Sequence, residues 1–595
     1  MIHRKPFHGP KRRLVLSMDL GTTFSGMSYA VLDPGKAPEI KTVNRYPGQE
    51  AGDAKIPTVV WYDSNGQVLA VGAEEPSEPP VEDPEWQDDA VDEWEDVPKV
   101  FKVEWFKLLL GPKGMHTDPA IPSIKLPPGK QDVLEVYADF YRYMYGHART
   151  YIEQTHANGD LLWESFGEDI DFILSHPNGW EGAQQSAMRR AAIKAELVPD
   201  TLDGRERVKF VTEGEASFHC CISSGMISES VEIGKNVMIV DAGGGTVDIS
   251  TYTFTKSTPI AIDEIAASGC IFQGSVLVSS RASAYLRQSL ASSRFGSESH
   301  IQAITTEFDK TTKKRFKGTG DSWVKFGQPS DRDLEFGIRN GQKKLTVDEI
   351  ASFFDPAIRD IMHEIEAQQR AAKNHVISTF FLVGGFAASE YLYTKLRGQL
   401  EAHGSQIFRP DSHTNKAVAE GAVSFHLDHY VSSRVARFVY GVECRKLFVS
   451  HDRDHRSRFA TKEIAEDGTV RLPKGFSIIL PKGTQVSETE EFERSFYQSS
   501  RTGLYWIEST ILCYKGRRTP SWTDEEPGLF SALCTVSADV SQVPKIRLKG
   551  PSGRYFRQDY EIVLSFGLTE LKARISWMEN GVKKFGPASI VYDEN

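Results

Sequence analysis

Residues 240–248 carry the sequence VDAGGGTVD, and residues 18–26 carry MDLGTTFSG, each at the end of a short apolar run. Each stretch predicts a β-strand that ends on an acid and then turns sharply through glycine. Because glycine has no Cβ, the backbone N–H groups of such a turn can approach phosphate oxygens closely. A threonine hydroxyl adds a donor, and the neighbouring acid can hold magnesium through water. Two such turns far apart in sequence predict two hairpins that face each other across a phosphate-binding cleft.

A third glycine turn, LVGGFAAS at residues 382–389, also follows an apolar strand. None of the three turns matches G-x-x-x-x-G-K-[ST], which excludes the P-loop class of nucleotide site. None matches G-x-G-x-x-G before a helix, which excludes the Rossmann dinucleotide fingerprint.

The pattern of predicted secondary structure changes near residue 430. Up to that point predicted strands alternate with helices, and beyond it short strand-like runs follow one another between polar turns. This order predicts an α/β domain over residues 14–430 and a β-domain over residues 431–595. Residues 1–13 are basic and predict a disordered tail. Residues 74–98 are rich in acids and proline and predict an exposed, mobile insertion.

Composition limits the classes of function. The 595 residues carry a net charge of -11, which argues against general nucleic-acid binding. Six cysteines are present without a C-x-x-C pair, a usage typical of a reduced, cytoplasmic protein. No apolar run approaches the roughly 20 residues of a membrane span, so no membrane partner is expected.

The three glycine turns, in this order, resemble the phosphate and adenosine motifs of the actin, hexokinase and heat-shock chaperone superfamily. Further stretches resemble the seventy-kilodalton heat-shock (DnaK-type) chaperones in particular: FKLLLG at 106–111, VTEGEAS at 211–217 and KKRF at 313–316. The divergent heat-shock-like ATPases resemble the chain more closely than the standard chaperones do. Because the sequence ends soon after the β-domain, it predicts a β-domain without the chaperones' helical lid.

The resemblance implies an actin-like ATPase domain, with two ribonuclease-H-like lobes around a nucleotide cleft, followed by an all-β, sandwich-like domain resembling the chaperones' peptide-binding domain. The implied ligands are ATP or ADP with Mg²⁺, the metal being held by Asp19 and Asp241. The implied catalytic residues are Lys107, Glu213, Asp241 and Thr246. The implied nucleotide contacts are Asp19, Gly21, Thr22, Thr23, Gly243, Gly244, Gly245, Asp248, Gly274, Lys314, Arg315, Gly384 and Gly385.

By spacing alone Lys107 is an ordinary surface lysine, and Glu215 competes with Glu213 for the role of the cleft glutamate; the better motif match favours Glu213. The chain also departs from the family pattern. Ala388 stands where the chaperones have an adenine-stacking arginine, and Gly214 stands where they have a proline that takes part in signalling between domains. The linker near residue 430 is basic rather than acidic and leucine-rich. These departures predict weak coupling between nucleotide and peptide binding.

The first hypothesis is therefore an ATP-binding and ATP-hydrolysing, chaperone-like protein that acts on polypeptide clients or co-chaperone-like partners. An alternative is a nucleotide-controlled binding or scaffold protein whose ATPase is vestigial. A small-molecule kinase of the same superfamily is disfavoured, because the chaperone-like segments and the β-domain point away from it.

Overall fold

The computed structural model describes residues 4–49, 52–76, 100–112, 124–180, 182–225, 227, 231–409, 416–487, 489–543, 545–551, 553–567, 570–579 and 581–586. The predicted insertion at 74–98 therefore lies outside the described residues beyond Pro76. The fold is mixed α/β, with several sheets and helices. None of the helices in the described ranges combines the length and apolar character needed to cross a bilayer.

The chain divides into two compact units. The first unit comprises residues 1–180, 187–262 and 268–430. The second unit comprises residues 181–186, 263–267 and 431–595.

Strands β1 to β17 precede residue 430, and β12 contributes residues to both units. Their bounds are β1 Arg13–Asp19, β2 Phe24–Leu32, β3 Ile40–Thr42, β4 Lys55–Pro57, β5 Val59–Asp63, β6 Val68–Val71, β7 Val100–Glu104, β8 Ile170–His176, β9 Val208–Thr212, β10 Asn236–Ala242, β11 Val247–Ser257, β12 Ile260–Ile271, β13 Ser322–Lys325, β14 Ile338–Arg339, β15 Gln342–Leu345, β16 Thr379–Val383 and β17 Gln406–Phe408.

Helices α1 to α11 lie in the same part of the chain, and α3 likewise contributes residues to both units. Their bounds are α1 Val133–Thr155, α2 Gly159–Glu164, α3 Gly182–Lys194, α4 Leu202–Glu206, α5 Glu213–Ser223, α6 Ser275–Ser289, α7 Glu298–Glu307, α8 Lys313–Arg315, α9 Val347–Ala371, α10 Glu390–Glu401 and α11 Ala417–Asp428. Helix α9 begins with a capping box, in which Thr346 and Glu349 bond each other's backbone N–H.

Two sheets of the first unit share one local arrangement. One sheet runs in the order β3-β2-β1-β8-β9, with β4 also pairing β2, and the other includes the order β17-β16-β10-β11. In each sheet a buried central strand, β1 or β10, pairs with an antiparallel neighbour on one side and a parallel neighbour on the other. Both central strands are buried at every residue after the first. Each central strand ends at one of the predicted glycine turns.

The second unit is built mainly from strands. Its elements are β18 Val431–Val435, β19 Val439–Leu447, the short helix α12 Arg453–Ser457, β20 Glu463–Ile464, β21 Val470–Leu480, β22 Gln485–Ser487, β23 Glu491–Ser500, β24 Trp506–Tyr514, β25 Phe530–Asp539, β26 Ile546–Gly550, β27 Gly553–Gly567, β28 Glu570–Glu579 and β29 Val582–Phe585. One sheet runs β20-β21-β19-β24-β25 and a second runs β23-β27-β28-β29, with β26 pairing β27. Buried side chains from both sheets, including Ile511 and Ile575, form one hydrophobic cluster.

Residues 4–12 differ from the predicted disordered tail, because their side chains and backbone have partners in the first unit. The contacts are Arg4 to Asp428 (2.8 Å), Phe7 N to Lys36 O (2.8 Å), Lys11 to Asp169 (2.7 Å) and Arg12 to Asp33. The acids that pair with Arg4, Lys11 and Arg12 are distant in sequence, so local composition does not indicate the pairing.

Candidate functional site

The two predicted hairpin turns touch each other. The first glycine turn joins β1 to β2 at residues 20–23, and the second joins β10 to β11 at residues 243–246. A Cβ built on Gly244 would lie 2.5 Å from Thr23 Oγ1, and one on Gly245 would overlap Thr22 Oγ1. The turns can therefore approach this closely only because residues 244 and 245 lack side chains.

The backbone conformation of each turn also depends on contacts made by its own glycine or threonine residues. The carbonyl oxygen of Phe24 occupies the space in which a Cβ of Gly21 would lie. In the second turn the N–H of Gly243 donates to the carbonyl of Thr246 at 2.9 Å, which closes the loop. Side chains longer than glycine would open either turn.

Hydrogen bonds from the start of helix α6 fix the orientation of the peptide groups in the second turn. Three backbone N–H groups there donate to the three glycine carbonyls: Gly274 to Gly245 (3.0 Å), Ser275 to Gly243 (3.1 Å) and Val276 to Gly244 (3.0 Å). In a planar trans peptide the N–H points opposite to the C=O. The N–H groups of Gly244, Gly245 and Thr246 therefore point away from α6, as they do in a backbone anion nest.

The third glycine turn lies beside the second. Strand β16 runs parallel to β10 and pairs Val383 with Asp241. Gly384 follows with φ of +88°, a left-handed conformation that favours glycine, and a Cβ there would overlap Asp241 Oδ1. Gly385 comes next, and the space around its Cα is open. The adenosine turn of the sequence prediction is thus in contact with one of the two predicted metal acids.

Asp19 ends β1 and is almost fully buried. Its carboxylate accepts hydrogen bonds from Ser175 Oγ at 2.9 Å and from Lys55 Nζ at 2.9 Å. Burial alone would raise the pKa of Asp19, but the charges of Lys55 and Lys107 and these hydrogen bonds lower it overall. Asp19 is therefore ionised at neutral pH.

Asp241 and Asp248 occupy equivalent depths at the second turn. Ser217 Oγ donates to Asp241 at 2.5 Å, whereas Asp248 accepts from Thr246 Oγ1 at 2.9 Å and from the N–H of Asn178 at 2.6 Å. Burial, together with the charges of Asp248 and Asp19, raises the pKa of Asp241 to about 7, although the Ser217 hydrogen bond lowers it. Burial likewise raises the pKa of Asp248. The site thus gathers more negative charge than its own lysines neutralise.

Lys107 and Glu213 form a buried ion pair, with Nζ 2.5 Å from Oε1. Lys107 lies on the short 3₁₀ helix after β7, its Nζ 5.7 Å from the ring centre of Trp180. Glu213 is the first residue of α5. Burial raises the pKa of Glu213 to about 8, with Lys107 lowering it and Asp248 raising it. The surface-lysine interpretation of Lys107 does not fit a side chain only 5% exposed.

Lys314 and Arg315 are exposed on the single turn α8. Their neighbour Lys313, which the sequence prediction did not include, bonds the carbonyl of Ser275 at 3.3 Å and so ties α8 to the start of α6. Phe316, which follows, packs against Tyr391 with ring centres 4.7 Å apart. The structure thus places Lys314 and Arg315 beside α6 rather than among the buried acids.

Four polar side chains at the site were missed from sequence. These are Lys55, Ser175, Asn178 and Ser217. Ser217 ends the quoted motif VTEGEAS, which offered a signal for it. Ser175 and Asn178 lie in the stretch SHPNGW at residues 175–180, at the end of β8 and just after it. Lys55 had no such signal.

Gly214 has a structural reason to replace proline. Its N–H donates to Asn178 Oδ1 at 3.3 Å, and a Cβ would lie 2.6 Å from Ser250 Oγ. Proline would lack the N–H and bring a ring into the space held by these two polar side chains.

We expect Asp241→Asn to stabilise the metal-free, nucleotide-free protein. The raised pKa means that the folded state binds an extra proton between about pH 4 and 7, so wild-type stability falls as pH rises through this range. Asparagine removes the charge and still accepts from Ser217. The gain in unfolding free energy should be absent below about pH 4 and on the order of 2–4 kcal/mol at pH 8. Denaturant titrations at both pH values measure it, with the exposed Asp53→Asn as control; equal stability at pH 8 would contradict the electrostatic account.

No protein-family model matches the chain. The Homo sapiens protein "Heat shock 70 kDa protein 12B" is 24% identical over 233 residues, which are 39% of this chain and 32% of that protein. The match thus spans about a third of the relative's length. This similarity supports a distant relationship with the actin-like ATPase superfamily that includes the seventy-kilodalton heat-shock proteins.

Proposed function

We propose that the first unit is a two-lobed, actin-like ATPase domain that binds ATP with magnesium between its two glycine turns. The observation that carries the proposal is the direct contact of these turns, with the N–H groups of Gly244, Gly245 and Thr246 directed away from α6. Such N–H groups, free of the α6 bonds, suit phosphate oxygens. The repeated hairpin-plus-parallel-strand arrangement of the two sheets supports two related lobes.

The acids of the site fit a magnesium ion. Asp19 ends β1 and Asp241 is the penultimate residue of β10, and burial among carboxylates raises the pKa of Asp241. A bound divalent cation would relieve this excess negative charge and neutralise phosphate oxygens. Among the described residues no group of three or more His, Cys, Asp or Glu is placed to hold a metal. Asp19 and Asp241 would therefore hold it mainly through water.

Hydrolysis would depend on Lys107 and Glu213. Lys107 would stabilise the charge that develops on the γ-phosphoryl group, and Glu213 would orient Lys107 and the attacking water. Their close ion pair holds both side chains in the buried site, where an active ATPase would use them. The chaperone-like proposal adds that the second unit binds polypeptide clients or partners, by analogy with the family resemblance.

We expect Gly244→Val to abolish measurable ATP binding. Its side chain would displace Thr23 and block the approach of phosphate to the backbone of the second turn. Calorimetry should show at least about a hundredfold loss of affinity, equivalent to about 2.8 kcal/mol. Gly398→Val is the matched control, because the space around that glycine of α10 is open. Unchanged affinity in a folded Gly244→Val protein would remove the proposed site.

A further inference from the structure

Lys55 reaches Asp19 across three neighbouring strands. Strand β4 pairs β2 with Lys55 opposite Gly26, and β2 pairs β1 with Gly26 opposite Asp19. Residues directly opposite each other on adjacent strands project from the same face of a sheet. A Cβ on Gly26 would lie 3.2 Å from Lys55 Cγ, so the missing side chain gives the lysine room to cross. Its Nζ then donates to Asp19 Oδ2 at 2.9 Å.

The site contains more acids than lysines, which determines the partner of Lys55. Four buried acids, Asp19, Asp241, Asp248 and Glu213, share two lysines, of which Lys107 is paired with Glu213. Lys55 therefore remains for Asp19. Burial would lower the pKa of Lys55, but the charge and hydrogen bond of Asp19 raise it, and Asp241 and Glu213 add to the effect. The ammonium group stays charged.

Lys55 is also the more accessible partner. Its side chain is 22% exposed, whereas that of Asp19 is 4% exposed. The lysine can leave Asp19 through a path to solvent, while Asp19 is fixed at the end of β1 and by Ser175. An ion pair with one fixed and one mobile partner can exchange its cation without unfolding the sheet.

We propose that Lys55 is a built-in counter-ion of the nucleotide site, which holds Asp19 in the metal-free protein, competes there with divalent cations, and gives its charge to the phosphates when nucleotide binds. The inference rests on the proposed function for its nucleotide part alone. It makes nucleotide affinity less dependent on magnesium than the acids by themselves would, because the positive charge is already in place.

The first test uses magnesium chloride alone with nucleotide-free protein. A cation that binds only the folded state raises the unfolding temperature. In Lys55→Met the half-saturating magnesium concentration should be at least about tenfold lower than in wild type, equivalent to about 1.4 kcal/mol. Lys55→Arg, which keeps the charge, should behave as wild type. Lys102→Met is the control for loss of a lysine. Lys102 lies on β7, and its exposed side chain pairs with Glu104.

The second test measures ATP affinity with EDTA and with magnesium. Lys55→Met should lose about tenfold in affinity in EDTA and much less in magnesium, so its magnesium dependence becomes steeper. Gly26→Ala should move in the same direction, because its methyl group would push the lysine chain away from Asp19 while retaining the lysine. This variant keeps the test decisive if Lys55→Met does not fold.

The outcomes separate the two proposals. If Lys55→Met and Gly26→Ala respond to magnesium as wild type does in both tests, Lys55 is only a structural partner of Asp19 and the inference fails. If wild type binds no ATP but Lys55→Met gains magnesium affinity, the inference about Asp19 stands and the proposed nucleotide function fails.

Discussion

Replacing Lys107 by alanine should slow single-turnover ATP hydrolysis by about 10²–10³-fold while ATP still binds. Two effects act together. The variant loses the ammonium group that would stabilise the reacting phosphoryl group, and it leaves Glu213 buried without its partner. Because Lys107 lowers the already raised pKa of Glu213, its loss would raise that pKa further.

Rapid-mixing measurements of one turnover with labelled ATP check this expectation, alongside calorimetric ATP affinity. Lys102→Ala is the matched control, because Lys102 lies on the strand just before Lys107 and pairs with Glu104 at the surface. Its rate should equal that of wild type. A Lys107→Ala protein that hydrolyses at the wild-type rate would make Lys107 a structural partner of Glu213 and nothing more.

The second large effect is on stability. Helices α5 and α11 cross at Gly421, where a Cβ would overlap the carbonyl oxygen of Ala216. The overlap is with backbone, so Gly421→Val must push the helices apart, and we expect it to lower the unfolding free energy by on the order of 3 kcal/mol. Helix α11 also accepts a bond at Ala419 O from Ser17 Oγ (2.7 Å) on β1. Separating the helices would therefore disturb β1, which ends at Asp19, and α5, which begins at Glu213.

Urea unfolding followed by circular dichroism measures the loss. Gly398→Ala in α10 serves as the control, because a methyl group there meets open space and alanine has the higher helix propensity. The control should be as stable as wild type or slightly more so. Wild-type stability in Gly421→Val would mean that the helices can part at no cost, contrary to the close crossing described above.

The elements around the glycine turns could be predicted because their signals are local. Strand β1, for example, is a short apolar run that ends on an acid before a glycine turn. Helix α9 begins with a capping box formed by Thr346 and Glu349, which is also a local pattern. The course of residues 4–12 could not be predicted in this way. Their basic side chains meet partners such as Asp169 and Asp428, which only the folded chain brings near.

The residues of the site likewise include some with a local sequence signal and some without one. The acids and threonines of the turns are adjacent to their glycines, so a short motif contains them. The family resemblance indicated Lys107 and Glu213 separately but not their ion pair, since 106 residues separate the two in sequence. Neither a short motif nor the family resemblance indicated Lys55. Its position depends on the register of three strands and on the absence of a side chain at Gly26, neither of which a pattern of residue types records.

The most direct test of the phosphate-binding account is the calorimetric comparison of ATP with AMP on the wild-type protein in magnesium. The two glycine turns would contact the β- and γ-phosphates, and the acids would hold the magnesium ion that neutralises them. AMP lacks both phosphates. We predict one saturable ATP site per chain and an AMP affinity at least about a hundredfold weaker, or about 2.8 kcal/mol. Equal affinity for the two nucleotides, or no saturable ATP binding, would contradict the account.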